Sequence, residues 1–384
     1  MSNGSLAKRS TRTQAFANDA VRLGMEPLLQ RFTVLRETHT VERLLGGGTF
    51  GEVYLVRHKY LGTQAIKIFR PSVIQPEQEA ELFNEAFVLK NITHQNVVRV
   101  YDANVFQYRD KTLPYIVMEY ISGETLTQYV ARIGSLDQDQ AVELQLGICA
   151  GLAQAHRLTP PVVHRDIKPD NILIQTIQNR PVPKVADFGL ARHVNPTTRL
   201  IKAAGTLAYM APEGFWDIES PASDVFSAGV IFYWLVTGQE PFSTPKGYDL
   251  SSRRGVRDAI LLSRKDPPIP PSKIKSGLDS DIDLLIKRAL SFEAKQRYAD
   301  AFEFGEALRE FRTRRAKNNN SAVGKGDAES GETADLIVRA MDLSRQYNTI
   351  HEAVSLLEKA IKLKPALGQK YGTLVQRWRQ GLML

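Results

Sequence analysis

Cysteine is almost absent from this sequence, since Cys149 is the only one among 384 residues. A single cysteine excludes an internal disulfide framework and is typical of a reducing compartment, so we expect a cytoplasmic protein. Cys149 stands among apolar residues at helical spacing in LQLGICAGLAQAH. That setting favours a small core residue over a reactive thiol.

Long apolar runs are also missing. No segment is long enough to cross a bilayer, and the opening MSNGSLAKRSTRTQAFANDA lacks the apolar centre of a signal peptide. Hydrophobic residues make up 43% of the chain and charged residues 24%, as in soluble globular proteins. We therefore expect a soluble protein without a membrane partner.

Acidic residues are fewer than basic ones, and the net charge is +8. The excess lies in the flanks, because residues 1–40 carry six Lys/Arg and three Asp/Glu, and residues 313–384 carry twelve and seven. Residues 41–312 hold 32 of each and are formally neutral. A basic face for nucleic acid is therefore not indicated, and the flanking charge is interpreted as solvated surface.

Composition and periodicity divide the chain into four parts. Residues 1–40 are predicted to be an N-terminal extension, partly disordered, with a short helix and a leading strand near its end. Residues 41–312 form the main domain, mostly β at first with one helix around 77–92, and then mostly helical. Residues 313–333 are rich in Asn, Gly, Ser and charge and are predicted to be a linker. Residues 334–384 become helical again.

A glycine pattern opens the main domain. The segment LLGGGTFGEVYLV contains G-x-G-x-x-G in Gly46, Gly48 and Gly51. In a dinucleotide-binding turn the last glycine opens a helix and an acidic residue follows about twenty residues later. Here alternating residues predict strand, turn and strand, and no acid stands between Glu52 and Glu77. The glycines are therefore predicted to lie in a β-hairpin over a phosphate-binding site.

Further motifs follow in a fixed order. Lys67 stands in AIK on the strand after the hairpin, and Glu85 on the predicted next helix. Asp166 and Asn171 stand in VVHRDIKPDNILI, Asp187 stands in VADFGLA, and the segment MAPEG comes after them. Taken alone, Glu85 would be interpreted as a solvated helix charge, so the set of motifs carries the inference and no single member does.

These five motifs resemble those of the eukaryotic-type protein kinase family, across about 41–312. The sequence HRDIKPDN, with Lys168 two residues after Asp166, is similar to the Ser/Thr branch, and the compact loops are similar to bacterial members. The resemblance implies an α+β bilobal fold with a β-rich N-lobe and a helical C-lobe. It also implies transfer of the γ-phosphate of ATP to Ser and Thr hydroxyls of a protein substrate, with Mg²⁺ or alternatively Mn²⁺.

The resemblance assigns a role to each catalytic position. Asp166 orients the substrate hydroxyl and accepts its proton, and Lys168 stabilises the transferred phosphate. Thr206, in GTLAYMAPE, ties Lys168 to Asp166. Asn171 and Asp187 offer oxygen ligands to the metal. The full catalytic set, in which Glu85 fixes Lys67 on the α- and β-phosphates, is Asp166, Lys168, Lys67, Glu85, Asn171, Asp187 and Thr206.

The ATP-binding positions follow in the same way. Glycine backbone approaches phosphates closely because it has no side chain to block them. Val53, Ala65 and Leu173 are expected to sandwich the adenine, Met118 is expected to be the gatekeeper, and Glu119 opens the hinge. Ordinary core packing is the alternative for the apolar members. The predicted set is Gly46, Gly47, Gly48, Thr49, Phe50, Gly51, Val53, Ala65, Lys67, Met118, Glu119, Ile121 and Leu173.

Other matches to the family are structural. Glu213 in MAPEG is expected to form a buried ion pair with Arg297 in SFEAKQRYAD. Asp224 in SDVFSAGV resembles the aspartate that accepts hydrogen bonds from the catalytic-loop backbone. Phe226 departs from the tryptophan that the family usually has, which is a conservative change.

Regulation by phosphorylation is a further expectation from the resemblance. Arg165, before the catalytic aspartate, often receives a phosphate from the activation loop in this family. Thr197 and Thr198 are the candidate phosphosites, because a phosphate there would meet a basic set of loop residues. The alternative is that both threonines only form a polar turn after Pro196.

The C-terminal part carries a second resemblance. HEAVSLLEKAIKLKP places Ala353, Leu357, Ala360 and Pro365 as the second helix of a tetratricopeptide repeat does, although the preceding helix fits less well. One repeat buries little apolar surface alone. We therefore expect that this small all-α module docks on the kinase, binds a protein partner, or continues beyond Leu384.

An interaction scaffold is the competing function class. In that interpretation the kinase fold presents the helical module and catalysis is incidental. A pseudokinase usually loses at least one of the residues that match Lys67, Asp166 and Asp187, and all three are present here. The sequence therefore favours an enzyme.

Overall fold

The computed structural model describes residues 27–47, 51–70, 76–188, 207–216, 218–243, 252–323, 328–344, 349–365 and 367–380. The chain forms two compact units that divide between Arg309 and Glu310. The first unit holds a sheet and a group of helices, and the second is helical. In the described ranges no helix has the length and apolar character needed to cross a membrane.

Nine strands are described, all in the first unit. They are β1 (Val34–Leu35), β2 (His39–Gly47), β3 (Gly51–His58), β4 (Gly62–Phe69), β5 (Val100–Tyr108), β6 (Lys111–Glu119), β7 (Gly123–Thr125), β8 (Ile172–Ile177) and β9 (Arg180–Val185). Six of them make an antiparallel sheet in the order β1-β2-β3-β4-β6-β5, and β7, β8 and β9 make a second, smaller sheet. The predicted leading strand corresponds to β1 and the start of β2.

The larger sheet separates two apolar layers because side chains alternate between its faces. On β4, Ala65 lies in the inner layer together with Met118 of β6. The neighbouring Ile66 lies in the outer layer with Tyr54 of β3 and Val117 of β6. The inner layer faces the helix that follows β4, and the outer layer is covered by residues that precede β1.

Helices make up most of the remaining structure. They are α1 (Pro76–Lys90), α2 (Leu126–Ile133), α3 (Gln138–His156), α4 (Pro221–Thr237), α5 (Arg253–Lys265), α6 (Pro271–Ile274), α7 (Ser280–Ala289), α8 (Ala301–Val323), α9 (Ala328–Leu343), α10 (Ile350–Leu363) and α11 (Leu367–Arg379). The predicted helix at 77–92 corresponds to α1. Asp137 begins α3 with a capping box to Gln140. Helix α4 is apolar around most of its circumference and almost wholly buried, so it forms the centre of the helical half.

The predicted linker at 313–333 is corrected by the structure. Helix α8 continues through Val323, and α9 already begins at Ala328. Good helix formers in RTRRAK extend α8 past the end of the main domain, although the Asn and Ser residues after it disfavour a helix by propensity alone.

The second unit has its own apolar core. Helix α9 packs on α10, and α10 packs on α11. Ala353 and Leu357 of α10 are fully buried against Val375 and Trp378 of α11. The large buried side chain of Trp378 contributes much of the apolar surface that stabilises these three helices.

Candidate active site

The catalytic loop follows α3 and is held by an aspartate from α4. Asp224 Oδ2 accepts a hydrogen bond from the His164 backbone N–H at 2.7 Å, and Oδ1 accepts one from that of Arg165 at 2.9 Å. Its Oδ2 also lies 2.9 Å from His156 Nε2. Burial favours a raised pKa for Asp224, but these hydrogen bonds outweigh it and hold the pKa below its usual value. The predicted role of Asp224 is confirmed by these contacts.

The two carboxylate oxygens of Asp166 differ in their hydrogen bonding. Lys168 Nζ donates to Asp166 Oδ2 at 2.8 Å, and Asn171 Nδ2 donates to the same oxygen at 3.0 Å and to the Asp166 carbonyl at 2.7 Å. Asp166 Oδ1 is buried and has no hydrogen-bond partner within the described part of the chain. The carboxylate is thus fixed in orientation and keeps one oxygen able to accept a proton.

Lys67 of β4 forms an ion pair with Asp187. Its Nζ lies 2.7 Å from Asp187 Oδ2, and the lysine side chain is only 9% exposed. Burial would raise the pKa of the Asp187 carboxyl, but the Lys67 ammonium more than offsets this and holds the pKa below its usual value. Asp187 has φ of +62°, a left-handed conformation that is uncommon for a non-glycine residue and is frequent at functional sites.

The predicted pairing of Lys67 with Glu85 is not formed in this conformation. Glu85 lies half-buried on α1, and among the described residues no ion pair joins it to Lys67. The Asp187 carboxylate takes the lysine ammonium instead. Glu85 makes interactions of its own.

A cleft of about 380 Å³ lies between the larger sheet and the β7–β9 sheet. Asp187 stands at its edge. Eight of the predicted ATP-binding or metal-binding residues line it: Gly46, Val53, Ala65, Met118, Glu119, Ile121, Leu173 and Asp187. Tyr120 also lines the cleft and lies within the predicted hinge, residues 119–121. Lys184 Nζ donates to the two Glu119 carboxylate oxygens at 3.0 and 3.1 Å. The Glu119 side chain is therefore held by a residue of β9.

Several lining residues were not predicted. They are Arg43, Leu45, Val98, Ser122, Gly123, Glu124, Thr125, Gln128, Asp170 and Ala186. Leu45 carries a sequence signal, because it immediately precedes Gly46 on β2. Ala186 carries another, because it immediately precedes Asp187. The remainder lie on β2, β7, α2 and the connections between elements, and their approach to the cleft depends on the tertiary fold.

The glycine hairpin is formed by β2 and β3, as predicted. Gly46 pairs with Val53 across it, and Gly47 pairs with Glu52. A Cβ on Gly51 would lie 2.0 Å from the Ile68 carbonyl oxygen, so no larger residue fits there without movement of β4. The predicted positions Gly48, Thr49 and Phe50 lie outside the described residues, as do Thr197, Thr198 and Thr206.

The predicted ion pair of Glu213 and Arg297 is present and bidentate. Arg297 Nη1 lies 2.6 Å from Glu213 Oε1, and Nη2 lies 2.9 Å from Oε2. Ser223 also donates to Glu213 at 2.7 Å, and the arginine side chain is fully buried. Burial opposes ionisation of Glu213, but these hydrogen bonds hold its pKa below the usual value. The pair therefore fixes the segment after MAP against the end of the helical half.

The donor set at the cleft fits a magnesium ion held together with phosphates. Asn171 and Asp187 carry the oxygen ligands that Mg²⁺ prefers, and the lowered pKa of Asp187 keeps its carboxylate ionised. No cluster of three His, Cys, Asp or Glu side chains able to hold a metal occurs in the described ranges.

Comparison with known proteins identifies the class. Residues 39–308 match the model of the protein kinase domain family. The chain therefore belongs to the protein kinase family. These matches favour an enzyme over the scaffold interpretation.

Two curated relatives illustrate the similarity. The serine/threonine-protein kinase PknB of Mycobacterium leprae (strain TN) is 33% identical over 275 residues, which cover 70% of this chain and 42% of the relative. The serine/threonine-protein kinase Pkn1 of Myxococcus xanthus is 32% identical over 273 residues, which cover 69% of this chain and 37% of the relative. The chain thus spans about two fifths of the length of the curated relatives it matches.

A solved structure agrees in fold. The crystal structure of the Mycobacterium tuberculosis PknI kinase domain aligns with a TM-score of 0.56 at 25% identity. The alignment covers 73% of this chain and 99% of that one. The predicted bilobal kinase fold is confirmed, and the comparison does not test the second, helical unit.

Proposed function

We propose that this protein transfers the γ-phosphate of Mg-ATP to serine and threonine hydroxyls of a protein substrate. The observation that carries the proposal is the arrangement of Asp166, whose Oδ2 is held by Lys168 and Asn171 while the buried Oδ1 has no partner among the described residues. An oriented carboxylate with one free oxygen is suited to accept the proton of a hydroxyl nucleophile.

The surrounding residues supply positioning and charge. Lys67 lies at the edge of the cleft as a buried cation for the α- and β-phosphates, and Lys168 lies beside Asp166 for the transferred phosphate. The apolar walls at Val53, Ala65 and Leu173 suit an adenine ring. Magnesium, when bound by Asn171 and Asp187, neutralises charge on the phosphates and adds to the stabilisation of the transition state. Together these groups stabilise the charge of the transition state electrostatically.

Binding of ATP in this way requires a change at Lys67. The lysine now pairs with Asp187, and in the proposed reactive state Glu85 takes the lysine while Asp187 turns to the metal. Phosphate on Thr197 or Thr198 of the activation loop is proposed to favour that state by binding Arg165. In this conformation Arg165 Nε lies 3.2 Å from Glu219 Oε2. Tryptic mapping of autophosphorylated protein tests these two positions, and active protein unmodified at both would refute them.

The remaining assignments belong to the same proposal. The catalytic domain is taken to extend over 41–312, and 334–384 to be a tetratricopeptide-like module that binds a protein partner in the cytoplasm. The support is the separate core of the second unit around Leu357 and Trp378. Loss of partner binding, without loss of phosphate transfer, is expected on deleting 334–384.

Transfer of labelled phosphate from ATP tests the main proposal. Purified wild-type chain is incubated with Mg-ATP and a generic protein acceptor, beside an Asp166→Asn variant. Label on the wild type alone, at serine or threonine, is the expected result. Absence of label on the wild type, even after its activation loop has been phosphorylated, would contradict the proposal.

A further inference from the structure

A buried carboxylate lies at the start of β3, on the same face of the strand as the buried Tyr54. Glu52 follows Gly51 at the start of β3, and it is only 1% exposed. Burying a carboxylate is costly unless donors surround it. Three donors do so: the Leu28 backbone N–H at 2.8 Å, the Tyr54 hydroxyl, and Arg70 Nη2 at 2.5 Å.

Two of these contacts tie Glu52 to residues 27–35, which lead into and include β1 and are here called the N-terminal segment. The Leu28 N–H binds the carboxylate directly. The Leu29 N–H donates to the Tyr54 hydroxyl at 2.9 Å, and that hydroxyl donates to Glu52. Burial, together with the hydrogen bond to Glu52, raises the pKa of the Tyr54 phenol, so it remains a donor at physiological pH. The two backbone groups and two side chains form one connected network.

The N-terminal segment is itself fixed on the outer face of the sheet. The Phe32 N–H donates to the Val41 carbonyl at 2.8 Å, and the Val41 N–H donates to the Thr33 carbonyl at 2.9 Å. Leu29 and Leu35 are buried in the outer apolar layer. A cavity of about 810 Å³ remains between this segment and β2 and β3. Polar contacts therefore carry much of the attachment, because packing there is incomplete.

The same strand contacts the nucleotide cleft on its other face. Val53, next to Glu52, lines the cleft, as does its cross-strand partner Gly46. Glu52 pairs with Gly47, and a Cβ on Gly47 would lie 3.3 Å from Glu52 Cγ. Glu52 thus fixes both strands at the root of the hairpin, with the N-terminal segment on one side and the nucleotide site on the other.

We propose that Glu52 is a positioning residue through which the N-terminal segment holds the glycine hairpin in the geometry that binds a nucleoside triphosphate. This inference rests on the proposed function, because the ligand is the Mg-ATP of that reaction. Loosening the network releases the root of the hairpin and weakens nucleotide binding. The binding of the protein substrate is unaffected, because the network lies on the outer face of the sheet.

Two conservative variants of the full chain test the proposal. Glu52→Gln keeps an acceptor but loses the charge that Arg70 binds, and Tyr54→Phe removes only the hydroxyl that joins Leu29 to Glu52. Calorimetric titration with Mg-ATP, in an Asp166→Asn background that prevents turnover, gives Kd. We expect Kd to rise about fivefold or more in each variant. In the double variant the increase in Kd is expected to be smaller than the product of the two single-variant increases, because both residues belong to one network. With Asp166 restored, the peptide KM is expected to stay at the wild-type value while the KM for ATP rises.

Two controls separate positioning from general loss of stability. Arg57→Gln removes an exposed ion pair with Glu42 on the same sheet and is expected to leave Kd unchanged. Val236→Ala, in the buried helix α4, lowers the melting temperature without touching the hairpin. A rise in Kd for Val236→Ala equal to that for Glu52→Gln, at equal loss of melting temperature, would overturn the proposal.

The outcomes also distinguish this inference from the proposed function. If the parent protein binds Mg-ATP and the Glu52 and Tyr54 variants bind it equally well, this inference alone fails. If the parent binds no Mg-ATP, the proposed function fails and the inference fails with it.

Discussion

Lys67 Nζ and Asp187 Oδ2 lie 2.7 Å apart at the edge of the nucleotide cleft. Both residues are needed by the proposed reaction, the lysine for phosphate and the aspartate for metal. Their pairing compensates both charges in this conformation. The same pairing explains why Glu85 is not bound to Lys67 in this conformation.

Removing the lysine charge is expected to abolish most phosphate transfer. In Lys67→Met the α- and β-phosphates lose their cation, and kcat should fall by about 10²–10³-fold or more. Steady-state transfer to a peptide measures this. Lys59→Met, on an exposed turn far from the cleft, is the control for loss of a lysine, and it is expected to keep wild-type kcat.

The same variant is expected to change the acid stability of the fold. The pKa of Asp187 is lowered in the folded protein, so the pair stabilises the fold above the unfolded-state pKa of about 3.9 and loses that contribution as pH falls through the folded value. Without Lys67, burial dominates and the pKa of Asp187 rises. Thermal melts between pH 4 and 8 should therefore show the variant gaining stability relative to wild type as the pH falls, because the buried Asp187 carboxyl then becomes neutral. Identical pH profiles would contradict the assigned cause of the shift.

The Glu213–Arg297 pair gives a prediction about stability. Arg297→Met leaves the Glu213 carboxylate half-buried without its cation, and removing one partner of a buried pair costs about 3–5 kcal/mol. The arginine also donates to three backbone carbonyls, which the variant leaves without that donor. Urea unfolding measures the loss. Arg288→Met, which breaks an exposed ion pair with Glu303, should cost only about 0–1 kcal/mol.

Two glycines of the hairpin are expected to differ sharply in tolerance to alanine. A Cβ on Gly51 would lie 2.0 Å from the Ile68 carbonyl oxygen, whereas one on Gly46 would meet nothing within 4 Å. Gly51→Ala must separate β3 from β4 and should cost about 1–3 kcal/mol by overpacking. Gly46→Ala should leave the free energy of unfolding near that of wild type. Equal loss in both variants, by urea unfolding, would contradict this account.

Short motifs made the catalytic centre predictable from sequence. Asp166, Asn171 and Asp187 each sit in a segment whose residue order is specific to one chemistry, so their convergence followed from the motifs alone. The pairing of Lys67 was less predictable, because two carboxylates, Glu85 and Asp187, compete for one ammonium. Sequence names the candidates for such a pair but does not choose between them.

Other features depended on tertiary contacts with no local signal. A single charged residue at the start of a strand gives no local sign of burial, yet Glu52 is 1% exposed and accepts hydrogen bonds from Leu28, Tyr54 and Arg70. The stretch 313–323 is rich in polar residues and was predicted as linker, yet it continues a helix that is anchored by the buried residues of its first turns. Composition describes a segment in isolation, whereas burial and helix continuation are decided by its neighbours.

A buried arginine from α5 supports the segment that follows the activation loop. Arg264 Nε donates to the Met210 carbonyl at 3.0 Å, and its Nη2 donates to the Ala208 carbonyl at 2.9 Å. Its guanidinium lies 5.2 Å from the centre of the Phe242 ring. Burial lowers the pKa of Arg264 to about 10, which still leaves it charged at pH 7. The arginine therefore fixes the backbone at the start of MAPEG and immediately before it.

Arg264→Lys is expected to weaken use of the protein substrate and to spare ATP. Neither Ala208 nor Met210 is among the residues that line the cleft, and a lysine keeps the charge but lacks the planar guanidinium that donates to both carbonyls. Loss of one such charged hydrogen bond, about 1.5–3 kcal/mol, predicts a fall in kcat/KM for peptide of about 10- to 100-fold. Steady-state kinetics with peptide and ATP varied separately measures both constants. Lys265→Arg, the exposed neighbour on α5, is the control and should match wild type. A rise in the KM for ATP equal to that for peptide would show that Arg264 supports the whole domain and not the peptide side alone.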